Sequence, residues 1–407
     1  MASGDLNMIK NIAESFLVSS NTAIDFKLLR QAEDVGDENC VFKPVMSHQV
    51  FGESENIFGY RDLQIKLYYS AGRLTTYFGI EYSEKVDPDK LEGYQPDDIY
   101  EKISKVLQPG FFTNLTDFCN ELEKDVNFVP CGELKHSFST DNGDRNWEIY
   151  MCEVTTPNFV QYHERLQTFV LWYIDAASFI DADDDHWRFF LLYEKYVMDG
   201  STRYAIAGYA TVYEYYAYPN NIRPRISQVL VLPPFQRLGL GAELLDCLYK
   251  YYITHPKVLD ITVEDPSDEF QRLRDFVDVK NCKTLPSFQA NKLEQGFTEE
   301  MIAEAKEKFK VNKKQARRVY EILRLHMTDI HDCEQYRRYR LYVKNRLNVP
   351  YQKEQQDLKR LRDRLKDQDV QAALTFENID QRLESLDREY RELEDQYQRV
   401  LQRLALL

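Results

Sequence analysis

Two short stretches of this chain combine residue types and spacings that could do chemistry. The first is Val229-Leu230-Val231, followed by Gln236-Arg237-Leu238-Gly239-Leu240-Gly241-Ala242. Arg225 to Leu232 is rich in β-branched and aliphatic residues, as a buried strand should be, and Pro233 and Pro234 end it. Two glycines just ahead of an Ala/Glu/Leu-rich helix let the backbone come close to a ligand. The free amides of the first helical turn then face that ligand with the positive end of the helix dipole. The arrangement suits a pyrophosphate. It is not a dinucleotide fingerprint, because Leu244 stands where the third glycine would be, and the Lys-Ser/Thr pair of a P-loop is missing.

The second stretch is Val263-Glu264-Asp265-Pro266-Ser267. Pro266 lacks an N–H and helps stop a strand, which leaves two carboxylates at its carboxyl end, where open α/β sheets place their sites. A lysine amine arriving there would be protonated, with a reference pKa of about 10.4. Making it a nucleophile at neutral pH costs about 4 kcal/mol and needs a positioned base, Glu264 or Asp265. Asp175, expected on a helix over 162–178 beside Trp172 and Tyr173, is an unusual carboxylate in an apolar segment; it either serves the same pocket or turns to solvent. Asp181, Asp183, Asp184 and Asp185 precede Trp187. Adjacent aspartates cannot all face one ion from a regular element, and His163 and His186 lack matching ligand spacing, so a cation-attracting loop is expected and no metal.

The elements that must position these residues follow a definite order. Tyr162 opens a helix with Leu166, Phe169, Val170, Tyr173 and Ile174 at helical spacing. Strands over 187–196, 204–218 and 225–232 follow, then the glycine loop, a helix over 242–252 and a short strand over 258–263. That last strand must lie parallel to the one before the helix. Upstream, residues 62–69 alternate cleanly and 74–80 return as a hairpin. Residues 276–350 read as helical, with Lys306, Lys308, Lys310, Lys313, Lys314, Arg317 and Arg318 forming a solvated basic face. Beyond Pro350, Phe376, Ile379, Leu383, Leu386, Tyr390, Leu393, Tyr397, Val400 and Leu404 fall at strict 3–4 spacing. This is the pattern of a coiled coil or of a helix that docks; tyrosines at a-type positions favour a tail that folds back or grips another protein. The expected division is an N-terminal module over 1–125, a core over 126–275, a helical domain over 276–350 and a charged coiled-coil-like tail over 351–407.

Bulk properties narrow the class. The 407 residues carry a net charge of −15, which argues against non-specific nucleic-acid binding and favours a basic partner or substrate. Seven scattered cysteines without a C-x-x-C motif read as reduced thiols of a cytosolic or nuclear protein. Neither a signal-peptide pattern nor a run of 18 apolar residues is present, so no membrane is expected.

The loop resembles the acetyl-coenzyme A loop of the GCN5-related N-acetyltransferase superfamily. Within it, the chain over roughly 20–350 resembles the type B histone acetyltransferases. The likeness rests on Asn21-Thr22-Ala23-Ile24, Phe58-Gly59-Tyr60, Tyr162-His163-Glu164-Arg165-Leu166-Gln167-Thr168-Phe169, Ala177-Ser178-Phe179-Ile180-Asp181, Arg223-Pro224-Arg225-Ile226-Ser227-Gln228, Leu259-Asp260-Ile261-Thr262-Val263-Glu264-Asp265-Pro266-Ser267 and Ala316-Arg317-Arg318-Val319-Tyr320-Glu321-Ile322-Leu323-Arg324-Leu325. It implies an α+β fold: a mixed N-acetyltransferase sheet with splayed parallel strands, an α/β N-terminal module and a helical C-terminal region. It further implies direct acetyl transfer from acetyl-coenzyme A, with no metal, to lysines in the tail of newly made histone four.

Residue by residue, Glu264 matches the family's proposed general base, and Asp265 and Asp175 match acids suggested to share its work. At 175 the family usually has Glu; the side chain here is one methylene shorter, which points to a supporting part. Val229 to Val231 and Gln236 to Ala242 match cofactor-binding positions, where backbone amides do the holding and side chains such as Arg237 and Leu240 can vary. Ser267 and Arg274 are further cofactor contacts by the same resemblance. The peptide groove would match Glu53, Ser54, Glu55, Trp187, Tyr213, Glu214 and Tyr215, acids and aromatics suited to a basic tail. The family also implies a WD-repeat histone chaperone as partner; from the charge and the thiols, no direct contact with nucleic acid and a location in nucleus and cytoplasm are expected. Two other functions share these features: acetylation of another protein or a polyamine, and a non-catalytic histone chaperone. The intact loop and Glu264 speak against the latter.

Overall fold

The structure, a computed structural model, describes residues 14–90, 93–140, 143–364 and 379–406. It divides into two compact units, residues 1–216 with 224–248, and residues 217–223 with 249–407. The division is coarser than the expected one, and its lines fall elsewhere. The N-terminal module and the antiparallel strands share one unit because they are bonded together: the Ile206 amide donates to the Ala71 carbonyl at 2.9 Å, and Arg30 of the module grips Glu194 of the strands.

In the first unit, strands β1 (Ile24–Leu29), β2 (Val41–Phe42), β3 (Gln64–Ser70) and β4 (Thr76–Glu81) form a sheet of order β2-β1-β3-β4. β1 and β3 run parallel, and β3 and β4 form the hairpin that the alternation predicts, in register from Gln64↔Glu81 to Tyr69↔Thr76. One sheet face buries Phe26 and Tyr69 against Phe169 and Trp172. The meander follows as β5 (Glu133–Thr140), β6 (Arg145–Glu153), β7 (Trp187–Met198), β8 (Ser201–Ala217) and β9 (Asn221–Val231), adjacent in that order. Helix α1 (Phe159–Leu166) precedes β7, and helix α2 (Leu240–Ile253) follows β9.

The helix expected over 162–178 stops early. After α1 comes a 3-10 turn and one helical turn to Tyr173, and Ile174 is already extended. The cause is competition for a carbonyl. The amides of Val45 and Met46 donate to Trp172 O at 3.0 and 3.2 Å, the acceptor that the next helical turn would have used.

The second unit holds the short strand β10 (Thr262–Val263) and helices α3 (Asp268–Cys282), α4 (Glu299–Phe309), α5 (Lys313–Met327), α6 (Cys333–Arg364) and α7 (Ile379–Leu404). Residues 258–263 do not form one continuous strand as expected. Val258 makes a parallel bridge to Ile222, Ile261 bridges to Val311, and only Thr262–Val263 is regular. Asn312 and Arg274 side chains also donate to the Ile261 carbonyl, at 3.2 and 3.1 Å.

Pro350, the expected boundary, lies inside α6. The tail does not stand apart as a coiled coil. α7 packs on α3, α5 and α6, burying Leu386, Tyr390, Leu393, Tyr397 and Val400, while Leu383 is exposed. Phe376 and the side chain of Ile379 lie outside the described residues. Tyrosines carry the docking: Tyr397 Oη donates to Glu321 on α5 at 2.8 Å, and Tyr336 Oη on α6 donates to Glu394 on α7 at 2.7 Å, partners that an all-apolar coiled-coil seam would not offer.

Candidate active site

The loop after β9 turns left-handed ahead of the helix, though Gly241, expected before the helix, already lies inside its first turn. Arg237 and Gly239 both take left-handed conformations, with φ of +62° and +82°, and α2 begins at Leu240. A Cβ built on Gly239 would meet nothing within 4 Å, so the first turn of α2 opens onto free space. Helical geometry leaves the amides of that turn without intrahelical acceptors and places a partial positive charge there. This cradle fits a pyrophosphate. Gln236 is occupied in shaping the loop, its Nε2 donating to Val231 O at 2.9 Å. One expectation is corrected. Leu240 is not a freely variable side chain but a buried core residue that, with Phe235, anchors the loop. Upstream, Gly208 lets β9 come close: a Cβ there would sit 2.5 Å from the Leu230 carbonyl.

Also in the first unit, the structure draws together two acids that the sequence separates by 120 positions, Glu55 and Asp175. The residue that joins them, His48, was missed. Its Nε2 lies 3.1 Å from Asp175 Oδ1 and its Nδ1 3.6 Å from Glu55 Oε1. Nothing local in the sequence marks His48; only the packing of residues 45–49 against 172–177 makes it a link. Gln49 Nε2 donates to the Ala177 carbonyl at 2.8 Å in the same contact. Glu55 is held by the Ser47 amide at 2.6 Å, the His48 amide at 3.1 Å and Asn21 Nδ2 at 2.6 Å. The Ser47 amide above all holds its carboxyl below the usual range; burial opposes this, and Asn21 and His48 assist. Asp175 lies beyond the helix end with its side chain 75% exposed, while Glu53 and Ser54 face solvent.

Trp187 and Tyr213 are cross-strand partners at the β7–β8 end, their rings edge-to-face at 5.0 Å, and Tyr215 follows on the same sheet face at 4.5 Å from Tyr213. Glu214 points the other way. Its carboxylate pairs with Arg188 at 3.1 Å, so this acid is neutralised within the sheet. The Arg225 guanidinium sits 4.6 Å over the Tyr215 ring. The Asp184 carboxylate accepts from the Tyr213 hydroxyl and raises its pKa. Asp184, Asp185 and His186 bring ligand-type atoms within 4.8 Å of one another, a clustering that the loop's own bonds explain, since Asp184 Oδ1 accepts from the His186 amide at 3.0 Å and meets its ring Nδ1 at 2.8 Å. His163 is a core ring among Phe159 and Phe189, and burial pushes its pKa down to about 4.

In the second unit, Glu264 and Asp265 are exposed at the bend after β10, Asp265 with φ of +30°. Ser267 caps α3, its Oγ accepting from the Phe270 amide at 3.2 Å. Arg274 is buried, donating to Ile261 O at 3.1 Å and lying 3.5 Å from Asp278, an internal strut of this unit. Among the described residues no helix is long and apolar enough to cross a membrane.

Comparison with known proteins decides the family. The model described as histone acetyl transferase HAT1 N-terminus matches residues 16–175, that of the acetyltransferase (GNAT) family matches 148–272, and that of the histone acetyltransferase type B catalytic subunit, C-terminal, matches 274–325. The Homo sapiens histone acetyltransferase type B catalytic subunit is 48% identical over 400 residues, covering 97% of this chain and 95% of the human one. The chain belongs to the type B histone acetyltransferase family. The Mus musculus member is likewise 48% identical, over 97% of this chain and 96% of its own length. A Dictyostelium discoideum member is 36% identical over 319 residues, 75% of this chain and 64% of that one. Among solved structures, an aminoglycoside acetyltransferase in complex with sisomicin matches at TM-score 0.22 and 19% identity, over 30% of this chain and 78% of that one. The xEco2 acetyltransferase domain bound to a CoA conjugate matches at TM-score 0.24 and 15% identity, over 35% and 89%. This type B histone acetyltransferase is therefore an enzyme with an α+β acetyltransferase domain of a fold that uses acetyl-coenzyme A.

Proposed function

We propose that this enzyme transfers acetyl directly to a lysine amine in the N-terminal tail of newly made histone four, with Glu264 as general base. The observation that carries the proposal is the loop 236–242, whose left-handed Arg237 and Gly239 open the start of α2 to a pyrophosphate. Acetyl-coenzyme A, when bound, supplies an activated thioester carbonyl. The chain's own part is to hold and to deprotonate. Loop amides hold the pyrophosphate, while the backbone of Val229 to Val231 flanks the arm that follows it. The exposed Glu264 carboxylate takes the proton from the arriving ammonium, whose deprotonation costs about 4 kcal/mol at neutral pH, with Asp265 as its neighbour. In the first unit, Trp187, Tyr213 and Tyr215 offer π-faces to a cationic tail, and Glu55 and Asp175 offer negative charge across His48. A WD-repeat histone chaperone is the partner in this scheme, and the nucleus and cytoplasm are its setting.

The test is mass-spectrometric acetylation of a histone-four tail peptide by the full chain and by Glu264→Gln. Transfer should fall at least about a hundredfold in the variant with acetyl-coenzyme A binding intact. Transfer little changed would move the base to Asp265 or Asp175. Absence of peptide acetylation by the unmutated enzyme, with cofactor bound and polyamines acetylated, would replace the substrate.

A further inference from the structure

We propose that Cys131 and Cys152, in the first unit, form a reversible redox pair that closes to a disulfide on oxidation by a peroxide. The two sulfurs lie 3.8 Å apart, and the Cys152 thiol donates to the Cys131 carbonyl at 3.2 Å. Cys152 is the next-to-last residue of β6, and Cys131 sits just ahead of β5, the strand paired with it from Met151↔Glu133 onward. The residue between makes this approach possible. Gly132 has φ of +92°, and a Cβ on it would lie 2.5 Å from Cys152 Sγ and 2.4 Å from the Met151 carbonyl. Only glycine lets the chain cross so near the buried thiol, leaving about 2 Å for side-chain rotation to close before the usual S–S length.

The two thiols differ in access. Cys152 is fully buried, whereas Cys131 is half-buried and lines, with Gly132, Arg73, Arg165 and Phe128, a cavity of about 870 Å³. The hydrogen bond from Cys152 pulls the Cys131 thiol down against its burial, and the same contact pushes Cys152 up. Attack therefore begins at Cys131. Its thiolate attacks hydrogen peroxide and breaks the O–O bond, the sulfur becoming a sulfenic acid while the displaced hydroxide takes up the thiol's proton and leaves as water. The Cys152 sulfur then bonds to it, the sulfenic oxygen leaving as a second water with the Cys152 proton. Two equivalents of a small thiol reverse the bond and are themselves oxidised to a disulfide. Closure ties the entry of β5 to the end of β6 at the cavity wall.

The experiment exposes the full chain to stoichiometric hydrogen peroxide, blocks residual thiols by alkylation, and maps peptides without reduction. The expected product is a Cys131–Cys152 cross-linked peptide, lighter by about 2 Da than its parts and at least about tenfold more abundant than any pairing through the exposed Cys333. Cys152→Ala should leave a sulfenic acid at Cys131 that a dimedone probe captures, and Cys131→Ser should leave Cys152 unreacted. Gly132→Ala should part the thiols and abolish the cross-link in a folded protein. Oxidation of Cys333 with no cross-link between 131 and 152, or equal labelling of Cys152 in Cys131→Ser, would overturn the pair.

Discussion

The buried acids of the helical unit and the exposed acids at chain bends sit in opposite surroundings. Asp275 and Glu321 are wholly buried and fully engaged. Asp275 accepts from Arg318 at 2.6 Å, Gln271 at 2.8 Å and Gln315 at 2.9 Å, and Glu321 from Arg346 and the Tyr397 hydroxyl, both at 2.8 Å. Glu264, Asp265 and Asp175 stand at chain bends in contact with water. A buried acid ringed by donors cannot take a proton from a substrate, but it can fix one helix against another. The exposed acids add little to stability and lie where a substrate amine can reach them.

That contrast is breakable, and the largest break should come from the buried side. Glu321→Ala strips the partner from Arg346 and Tyr397 at once and should cost about 3–5 kcal/mol of unfolding free energy, read by urea titration. Glu264→Gln should leave that titration unchanged while acetyl transfer collapses; equal losses of stability in both variants would erase the distinction. Asp278 offers a sharper form through pH. Complete burial, with Asp275 beside it and Arg274 opposing, pushes its carboxyl from 3.8 up to about 7. Between those values the folded state holds a proton that the unfolded chain has lost, so stability should fall as pH rises from about 4 to 7 and level off above. In Asp278→Asn that part of the slope should vanish; an unchanged slope would show that the buried acid does not titrate there. The smallest effect belongs to the site: His48→Gln should raise the KM for a basic peptide about threefold, with kcat and unfolding midpoint nearly constant. A loss of stability instead would make His48 one more internal strut.

Much of the fold was legible because it is written in local periodicity. The 62–80 hairpin, the last three strands of the meander and the α2 crossover helix all appear where alternation and helical spacing put them, whereas β5 and β6 were not read from the sequence. The failures share a cause, competition from a distant segment. The helix toward 178 lost its acceptor at Trp172 to Val45 and Met46. The strand at 258–263 was divided between Ile222 and Val311. The basic run 306–318 is a solvated face only in part: Lys308 and Lys313 pair with Glu307 and Glu299, whereas Arg318 turns inward to Asp275. The string 316–325 marked the family, yet its charges build the helical unit. At the site, the loop could be read from its glycines, but His48 could not, since its role exists only once residues 48, 55 and 175 meet.

The docking of α7 also imposes an order on how the protein comes into being. Every residue of the first unit has been synthesised by Leu248. That unit can close while the rest of the chain is still being translated. The second unit cannot, because the surfaces of α3, α5 and α6 wait for Tyr390, Tyr397 and Val400 to emerge and cover them. Until then Glu321 lacks the Tyr397 hydroxyl and the apolar faces that α7 covers stand open, so the helical half is the later of the two to close.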